Sequence, residues 1–526
     1  MKSAAVIVAV AAAAALAAVG FARGTYAAGG SDSSCYALMA DAFASGQLQP
    51  FSELQPKVPW PDASKTFAPG GFLPSQSNPA AFAPVCAPGF SLLLAAAMKV
   101  GGAHALFAVT PLAGALLVWC VFLAARALGG ATAGAIAAVL TATSPVVLFQ
   151  VVQPMNDITT AMLWMAVFAI LARSERVTHV EVALAGVVCG LALLVRPNLL
   201  PLGVIAGIYA LGAGGRAPNA ESRIPSGIRT AASFGVAVAP FALVILWLNH
   251  ALYGGALRSG YGQLNAMFSP ANISSNALRY GRWLLQTQTV VIFLGFLASR
   301  VVPKDRRGRV WLALALILTT AAIYFAYTPF EDWSYLRFLM PAIALLIVLT
   351  SVVLAASASR LGFRASCVLL TLIAVALGFN GVASARDRLA FQMHALEQRY
   401  RSSGMVVRDR LPPAAALLTT WDSGAIRFHG RREAIVWDAL DPAWLDRALA
   451  WLSENGHQPF ILVESWEEAR FRARFGARSA IGNLDWPPKY EVDRQVRIYD
   501  PADRERYMSG QKVITEYVWP LMESKK

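Results

Sequence analysis

The chain has 526 residues, of which 56% are hydrophobic and only 14% charged, with a mean hydropathy of +0.50 and a net charge of +14. About a quarter of the residues in an ordinary soluble domain are charged, so charges this sparse cannot clothe a soluble particle of this size. Disordered, fibrous and small disulfide-stapled classes are excluded with it. The basic excess does not mark a nucleic-acid binder, because it is spread through short connections between apolar runs, where membrane topology accounts for it.

About 20 apolar residues are needed to cross roughly 30 Å of hydrocarbon as a helix. In chain order the runs 4–22, 103–125, 132–150, 157–172, 180–195, 198–213, 231–249, 281–299, 310–327, 336–356 and 365–383 predict eleven spans. The two runs joined at Arg196-Pro197 read equally as one broken helix. The run 88–99 is too short to span and reads as an interfacial or re-entrant segment. With Lys2 in the cytoplasm, alternate connections carry Arg126; Arg173 and Arg176; Arg216, Arg223 and Arg229; Arg300, Lys304, Arg306, Arg307 and Arg309; then Arg360 and Arg364. The opposite connections hold few basic groups, as positive-inside topology requires. An odd number of spans then predicts a cytoplasmic N-terminus and places the loop 23–87 and the tail 384–526 outside, periplasmic on a bacterial inner membrane. The first run precedes Thr25-Tyr26-Ala27 and has the look of a signal peptide, but its length favours a retained helix.

The tail changes character. Strands are predicted at 415–421, 433–438, 460–464 and 495–499, and helices at 442–455 and 466–475, with Leu462 and Val463 in a central strand. The expected fold class is therefore a polytopic α-helical membrane protein, residues 1–383, with a C-terminal soluble α/β domain, residues 384–526. No strand-to-helix junction carries a glycine-rich phosphate loop. Cys120, Cys189 and Cys367 lie in apolar runs, whereas Cys35 and Cys86 sit in polar outer sequence and predict one disulfide closing the outer loop.

Candidate chemistry lies at the outer ends of helices. Asp32 stands in GGSDSSCY at the head of a loop crowded with proline and aromatics, and Asp157 stands in QPMND. Each reads as readily as a helix N-cap. Arg196, in GLALLVRPNLLPL, and Arg337, in EDWSYLRFLMP beside Tyr335, are costly near hydrocarbon and suit an anion. Arg337 has Glu331 and Asp332 close by as structural partners; Arg196 has no acidic neighbour in sequence. His250, in WLNHALYGG, reads as a structural histidine, and no HExxH or CxxC spacing occurs, so no obligatory metal or other cofactor is expected.

Taken in order, these segments carry a resemblance. A first apolar helix is followed by an aspartate-bearing outer loop ending in Pro-Gly-Phe and LLLAAA. Then come SPVVLFQVVQPMND, GLALLVRPN, NHALYGGALRSGYG and YLRFLMPAIALL. The succession resembles the GT-C superfamily of membrane glycosyltransferases, over roughly residues 1–385, and is most similar to bacterial relatives of protein O-mannosyltransferases and lipid A aminoarabinose transferases. The resemblance implies transfer of a sugar from a polyprenyl-phosphate donor to a hydroxyl of a glycan, lipid or protein at the outer membrane face. Membrane lipids would be its surroundings, and nucleic acid would have no part. It assigns Asp32 as catalytic base and Asp157 as a second acid, and sets Arg196 and Arg337 near the donor phosphate. Tyr335, Arg258, Arg279 and His250 join them as substrate-binding candidates. Asp32 is followed by Ser33 where mannosyltransferases have Asp-Glu, which argues against mannosyl transfer to protein.

The chemistry is consistent with so small a set. A sugar phosphodiester already has a good leaving group, so the site must supply positive charge for the departing phosphate and a carboxylate for the acceptor's proton. One base with arginines on the leaving side implies direct displacement and inversion. Two other classes compete. A secondary transporter would show matched internal halves, which the sequence lacks; a non-catalytic anchored binding or assembly subunit would place its work in the tail.

Overall fold

A computed structural model describes residues 2–173, 178–214, 226–262 and 267–519. Arg176, Arg216 and Arg223 of the basic connections lie outside them. The chain forms two compact units: one of Met1–Gly24, Phe107–Trp247 and Gly262–Met393, and one of Thr25–Leu106, Leu248–Tyr261 and His394–Lys526. The cut expected at 383 is therefore not the division the structure makes, because the outer loop folds together with the tail.

The first unit is helical. Among the described residues, six helices are long and apolar enough to cross a membrane: Ser3–Arg23, Ala103–Ala142, Gly227–Tyr253, Lys304–Phe325, Trp333–Ala358 and Phe363–Asp387. The pair Pro270–Gln288 and Val290–Val301, bent by 103°, makes a seventh if it is one span. The difference from eleven has local causes. The runs 103–125 and 132–150 meet in one helical stretch, Val109–Ala142, broken at Gly130 with φ 85°, and a short helix Pro145–Gln150 follows. The run 281–299 is broken at Thr289, which takes φ 60°. The runs from 157 to 213 form shorter helices, Asn156–Ala172, His179–Val195 and Pro197–Gly212.

Nearly every residue of Met340–Ala358 is buried, so this helix is the core of the unit. Outer helices instead expose large apolar side chains, among them Val236 at 73% and Phe379 at 77%. Such surface is stable against lipid, where helices keep their backbone hydrogen bonds internal. Between His179–Val195 and the helix Ser226–Tyr253, Gly186 and Gly190 leave no room for a Cβ against Phe234 and Phe241. This is the small-residue spacing that lets membrane helices approach closely.

The second unit joins the outer loop to an α/β sheet. Its strands are β1 (Phe72–Pro74), β2 (Phe82–Pro84), β3 (Ala415–Leu418), β4 (Glu433–Ile435), β5 (Gln458–Glu464), β6 (Tyr490–Val492), β7 (Val496–Tyr499) and β8 (Glu516–Val518). β1 and β2 form an antiparallel hairpin; the others form one sheet in the order β4-β3-β5-β7-β6-β8. β3 runs parallel to both β4 and β5, and β7 runs antiparallel to β5. Leu462 and Val463 lie fully buried in the interior strand β5. The strands predicted at 415, 433, 460 and 495 correspond to β3, β4, β5 and β7, while β6 and β8, three residues each, are too short to show a period.

The loop is fastened by several kinds of bond. Cys35, on the helix Gly30–Ala44, is disulfide-bonded to Cys86 with 6.4 Å between Cα atoms. Trp60 packs edge-on against Trp451, Val436 N–H donates to the Thr66 carbonyl at 2.5 Å, and Arg431 pairs with Asp41. A proline-rich loop with few regular elements cannot bury its aromatics alone, and the sheet domain supplies the partner surface.

Two groups, the buried Glu467 and the half-buried His429, give this unit a pH signature. The Glu467 carboxylate accepts a backbone hydrogen bond from Glu464 at 3.0 Å; burial nonetheless pushes it up from 4.5 to about 7. Its stabilising contribution is complete below the unfolded value and is lost as pH rises through 7. His429 accepts from Ala28 N–H at 2.9 Å, and burial holds it down to about 3. Its contribution is complete above pH 6.5 and is lost as pH falls towards 3. Glu467→Gln keeps the acceptor oxygen and removes the titration. It should therefore resist alkaline destabilisation between pH 4.5 and 8 by on the order of 2–3 kcal/mol relative to the native chain. Denaturant unfolding of the full-length protein in detergent, followed across pH, checks this; parallel profiles for the two proteins would refute it.

Candidate functional site

In the first unit the helix His179–Val195 ends because Pro197 cannot continue it, and Arg196 takes extended backbone, φ −145° and ψ 85°. The Val195 carbonyl freed by this break accepts from Asn156 Nδ2 at 3.3 Å. Asn156 opens the helix Asn156–Ala172, with Asp157 in its first turn. Arg196 Nη2 then donates to Asn156 Oδ1 at 3.0 Å and to Asp157 Oδ1 at 2.7 Å. Pro197 and the Asn156-Asp157 pair therefore place the guanidinium by backbone logic.

Arg337 reaches the same carboxylate from the 3₁₀ helix Trp333–Leu339, which Asp332 caps through the Ser334 N–H at 2.8 Å. Its Nε lies 4.0 Å from Asp157 Oδ2. An aromatic floor supports both cations: Phe338 lies under Arg196 at 5.5 Å and under Arg337 at 5.3 Å, and Tyr335 lies under Arg337 at 5.1 Å. Tyr335 stacks on Phe330 at 3.8 Å, and Tyr324 stacks on Phe338 at 5.0 Å while its hydroxyl accepts from Asn198 Nδ2 at 3.1 Å. Arg279 donates to the Phe330 carbonyl at 2.9 Å and pairs with Glu331 at 3.7 Å.

This geometry answers two questions the sequence left open. Glu331 goes to Arg279 and Asp332 to a helix cap, while Arg337 pairs with Asp157. Arg196 does have an acid, and it is the same one. Asp157, expected as a second acid open to a cavity, is 0% exposed and ion-paired to both arginines. Two guanidiniums thus meet at one carboxylate over aromatic faces, where dielectric screening is weak, and guanidiniums so placed can receive an anion.

The remaining candidates lie in the second unit. Asp32 is exposed in the first turn of Gly30–Ala44. The N-cap there is Gly29, just as Met155 rather than Asp157 precedes the helix Asn156–Ala172 as its cap, so neither aspartate is itself a cap. His250 is exposed in the last turn of Ser226–Tyr253, and Arg258 is exposed in the turn beyond it. Their segment is held to the outer loop by Tyr253 Oη donating to the Pro84 carbonyl at 2.8 Å and by Ser77 Oγ donating to the Ala251 carbonyl at 3.3 Å. The residues that sequence reasoning missed are Asn156, Phe338, Tyr324 and Asn198. Asn156 directly adjoins Asp157, Phe338 directly adjoins Arg337, and Asn198 stands two residues after Arg196, which was the available signal. Among the described residues no group of three or more His, Cys, Asp or Glu is arranged to hold a metal ion.

A family model described as dolichyl-phosphate-mannose-protein mannosyltransferase matches residues 84–247. No curated protein matches the sequence significantly. Among solved structures, ArnT from Cupriavidus metallidurans bound to undecaprenyl phosphate is similar with a TM-score of 0.58 at 14% identity, covering 90% of this chain and 95% of that one. The Archaeoglobus fulgidus oligosaccharyltransferase tethered to an acceptor peptide gives 0.52 at 13% identity, covering 93% of this chain and 72% of that one. Its complex AglB with an inhibitory peptide and dolichol-phosphate gives 0.51 at 12%, covering 89% and 70%. At these identities the likeness to each structure is one of fold. The matched segment and the shared fold make the chain similar to membrane glycosyltransferases of the GT-C type.

Proposed function

We propose that the chain transfers one sugar from a polyprenyl-phosphate carrier to an acceptor hydroxyl at the outer face of a bacterial inner membrane, with the N-terminus cytoplasmic and the second unit periplasmic. The observation that carries the reading is the pair Arg196 and Arg337 sharing the single buried carboxylate of Asp157. The undecaprenyl phosphate and dolichol-phosphate bound by two proteins of similar fold support it. In the reaction the acceptor oxygen attacks the anomeric carbon as the bond from that carbon to the phosphate oxygen breaks. The bonding electrons leave with polyprenyl phosphate, whose growing charge the two arginines hold. Asp32 takes the acceptor's proton, and the anomeric configuration inverts. Asp157 positions the arginines. Arg279 and Tyr335, and Arg258 and His250, are proposed to line the path of the substrates.

The test is binding of undecaprenyl phosphate to the full-length protein in nanodiscs. Loss of one charge-assisted hydrogen bond, about 1.5–3 kcal/mol, predicts that Arg337→Ala weakens binding roughly 10- to 150-fold, with Arg337→Lys between. Equal binding by the alanine variant would remove the arginines from the donor site. Transfer from a polyprenyl-phosphate sugar is expected to survive chelation by EDTA, since the charge that a metal would supply comes here from the two guanidiniums.

A further inference from the structure

From β3 the chain goes to β4 on one side and then returns to place β5 on the other side of β3. These parallel neighbours therefore form a topological switch point, where open α/β sheets present a crevice beyond the carboxyl ends of their strands. Two tryptophans stand at that end: Trp421 after β3 and Trp466 after β5, 42% and 48% exposed, with ring centroids 5.6 Å apart and planes at 64°. An adjacent pair of indoles left in water is the kind of exposed aromatic surface that marks a binding site.

Hydrogen bonds hold one member of the pair from beneath. Trp466 Nε1 donates to Glu464 Oε2 at 2.9 Å, and the Glu464 backbone N–H donates to Glu467 Oε2 at 3.0 Å. Arg399 pairs with Glu464 at 3.1 Å, and Asp422 accepts from Ser403 Oγ at 3.0 Å. Glu464, Glu467 and Asp422 each keep a buried oxygen without a hydrogen bond, so the floor is acceptor-rich. Such a floor suits a ligand rich in hydroxyl donors better than an anion. A saccharide ring offers the matching chemistry, an apolar C–H face for the indoles and hydroxyls around its rim.

The platform also adjoins the helix Gly30–Ala44, which carries Asp32. Ser423 and Gly424 directly follow Trp421-Asp422; Ser423 Oγ accepts from Gly70 N–H at 3.1 Å, and Gly424 packs on Ser34 without room for a Cβ. We propose that Trp421 and Trp466 form a saccharide-binding platform at the switch point of the α/β sheet, and that it receives a neutral glycan acceptor. The acceptor role rests on the glycosyl-transfer reading; saccharide binding does not.

The test is retention of the full-length protein in nanodiscs on an array of neutral and acidic bacterial envelope glycans. Neutral oligosaccharides should be retained, with apparent affinity falling at least tenfold in Trp421→Ala and in Trp466→Ala at unchanged melting temperature. Trp421→Phe and Trp466→Phe, which keep a ring and its packing, should retain most of it. No retention on any glycan, retention of acidic glycans alone, or undiminished binding by the double alanine variant would each overturn the platform. Tryptophan-dependent glycan binding without any transfer from a polyprenyl-phosphate sugar would leave the platform standing and remove the acceptor role.

Discussion

Asp32→Asn should lower sugar transfer by about 10²–10⁴, the contribution of a positioned general base, while the protein folds and binds polyprenyl phosphate normally. The substitution keeps the size and one acceptor oxygen of the side chain and removes only the ability to take a proton. Asp32 sits exposed in the first turn of a helix that is pinned one turn later by the Cys35–Cys86 disulfide, so its backbone position does not depend on its charge. The measurement is single-turnover transfer from a synthetic polyprenyl-phosphate sugar, with thermal unfolding as the control. A rate near that of the native chain would show that another carboxylate takes the proton. Asp157 would be a poor substitute, since both of its oxygens face arginines.

Arg196→Ala should cost roughly 3–5 kcal/mol of stability, because it leaves a carboxylate with 0% exposure short of its nearest cation. Asn156 would lose its contact too, and with it some of the hold on the broken end of His179–Val195. Arg196→Ala combined with Asp157→Asn should restore much of the stability, since the uncompensated buried charge is gone. It should not restore donor affinity, which the proposed role assigns to the arginine itself. Thermal unfolding in detergent and KM for the donor separate the two effects. A double variant that folds and binds donor like the native chain would reduce the Arg196–Asp157 pair to a structural ion pair. Arg196→Lys is expected to fall between, because a single ammonium cannot reproduce the planar fork lying over Phe338.

Membrane residence, the apolar helices, the α/β character of the tail and the strand holding Leu462 and Val463 were legible in the sequence. So was the pairing of Cys35 with Cys86, the two cysteines in polar outer sequence. All of these follow from local composition and periodicity, which side chains announce within a few turns or strands. The ordered motifs also carried the resemblance to GT-C glycosyltransferases, whose fold the chain shares. Tertiary structure alone decided the rest. Spans inferred by counting apolar residues cannot anticipate a break such as Thr289, inside the run 281–299, where one residue's backbone conformation redirects the chain. The partner of Arg196 lies 39 residues upstream, and Arg337 passes over its sequence neighbours Glu331 and Asp332 for that same aspartate. Ion pairs form between groups that packing brings within about 4 Å, and spacing along the chain holds no record of that. The outer loop's union with the tail has the same cause: its aromatics found their burial on a sheet that begins more than three hundred residues later.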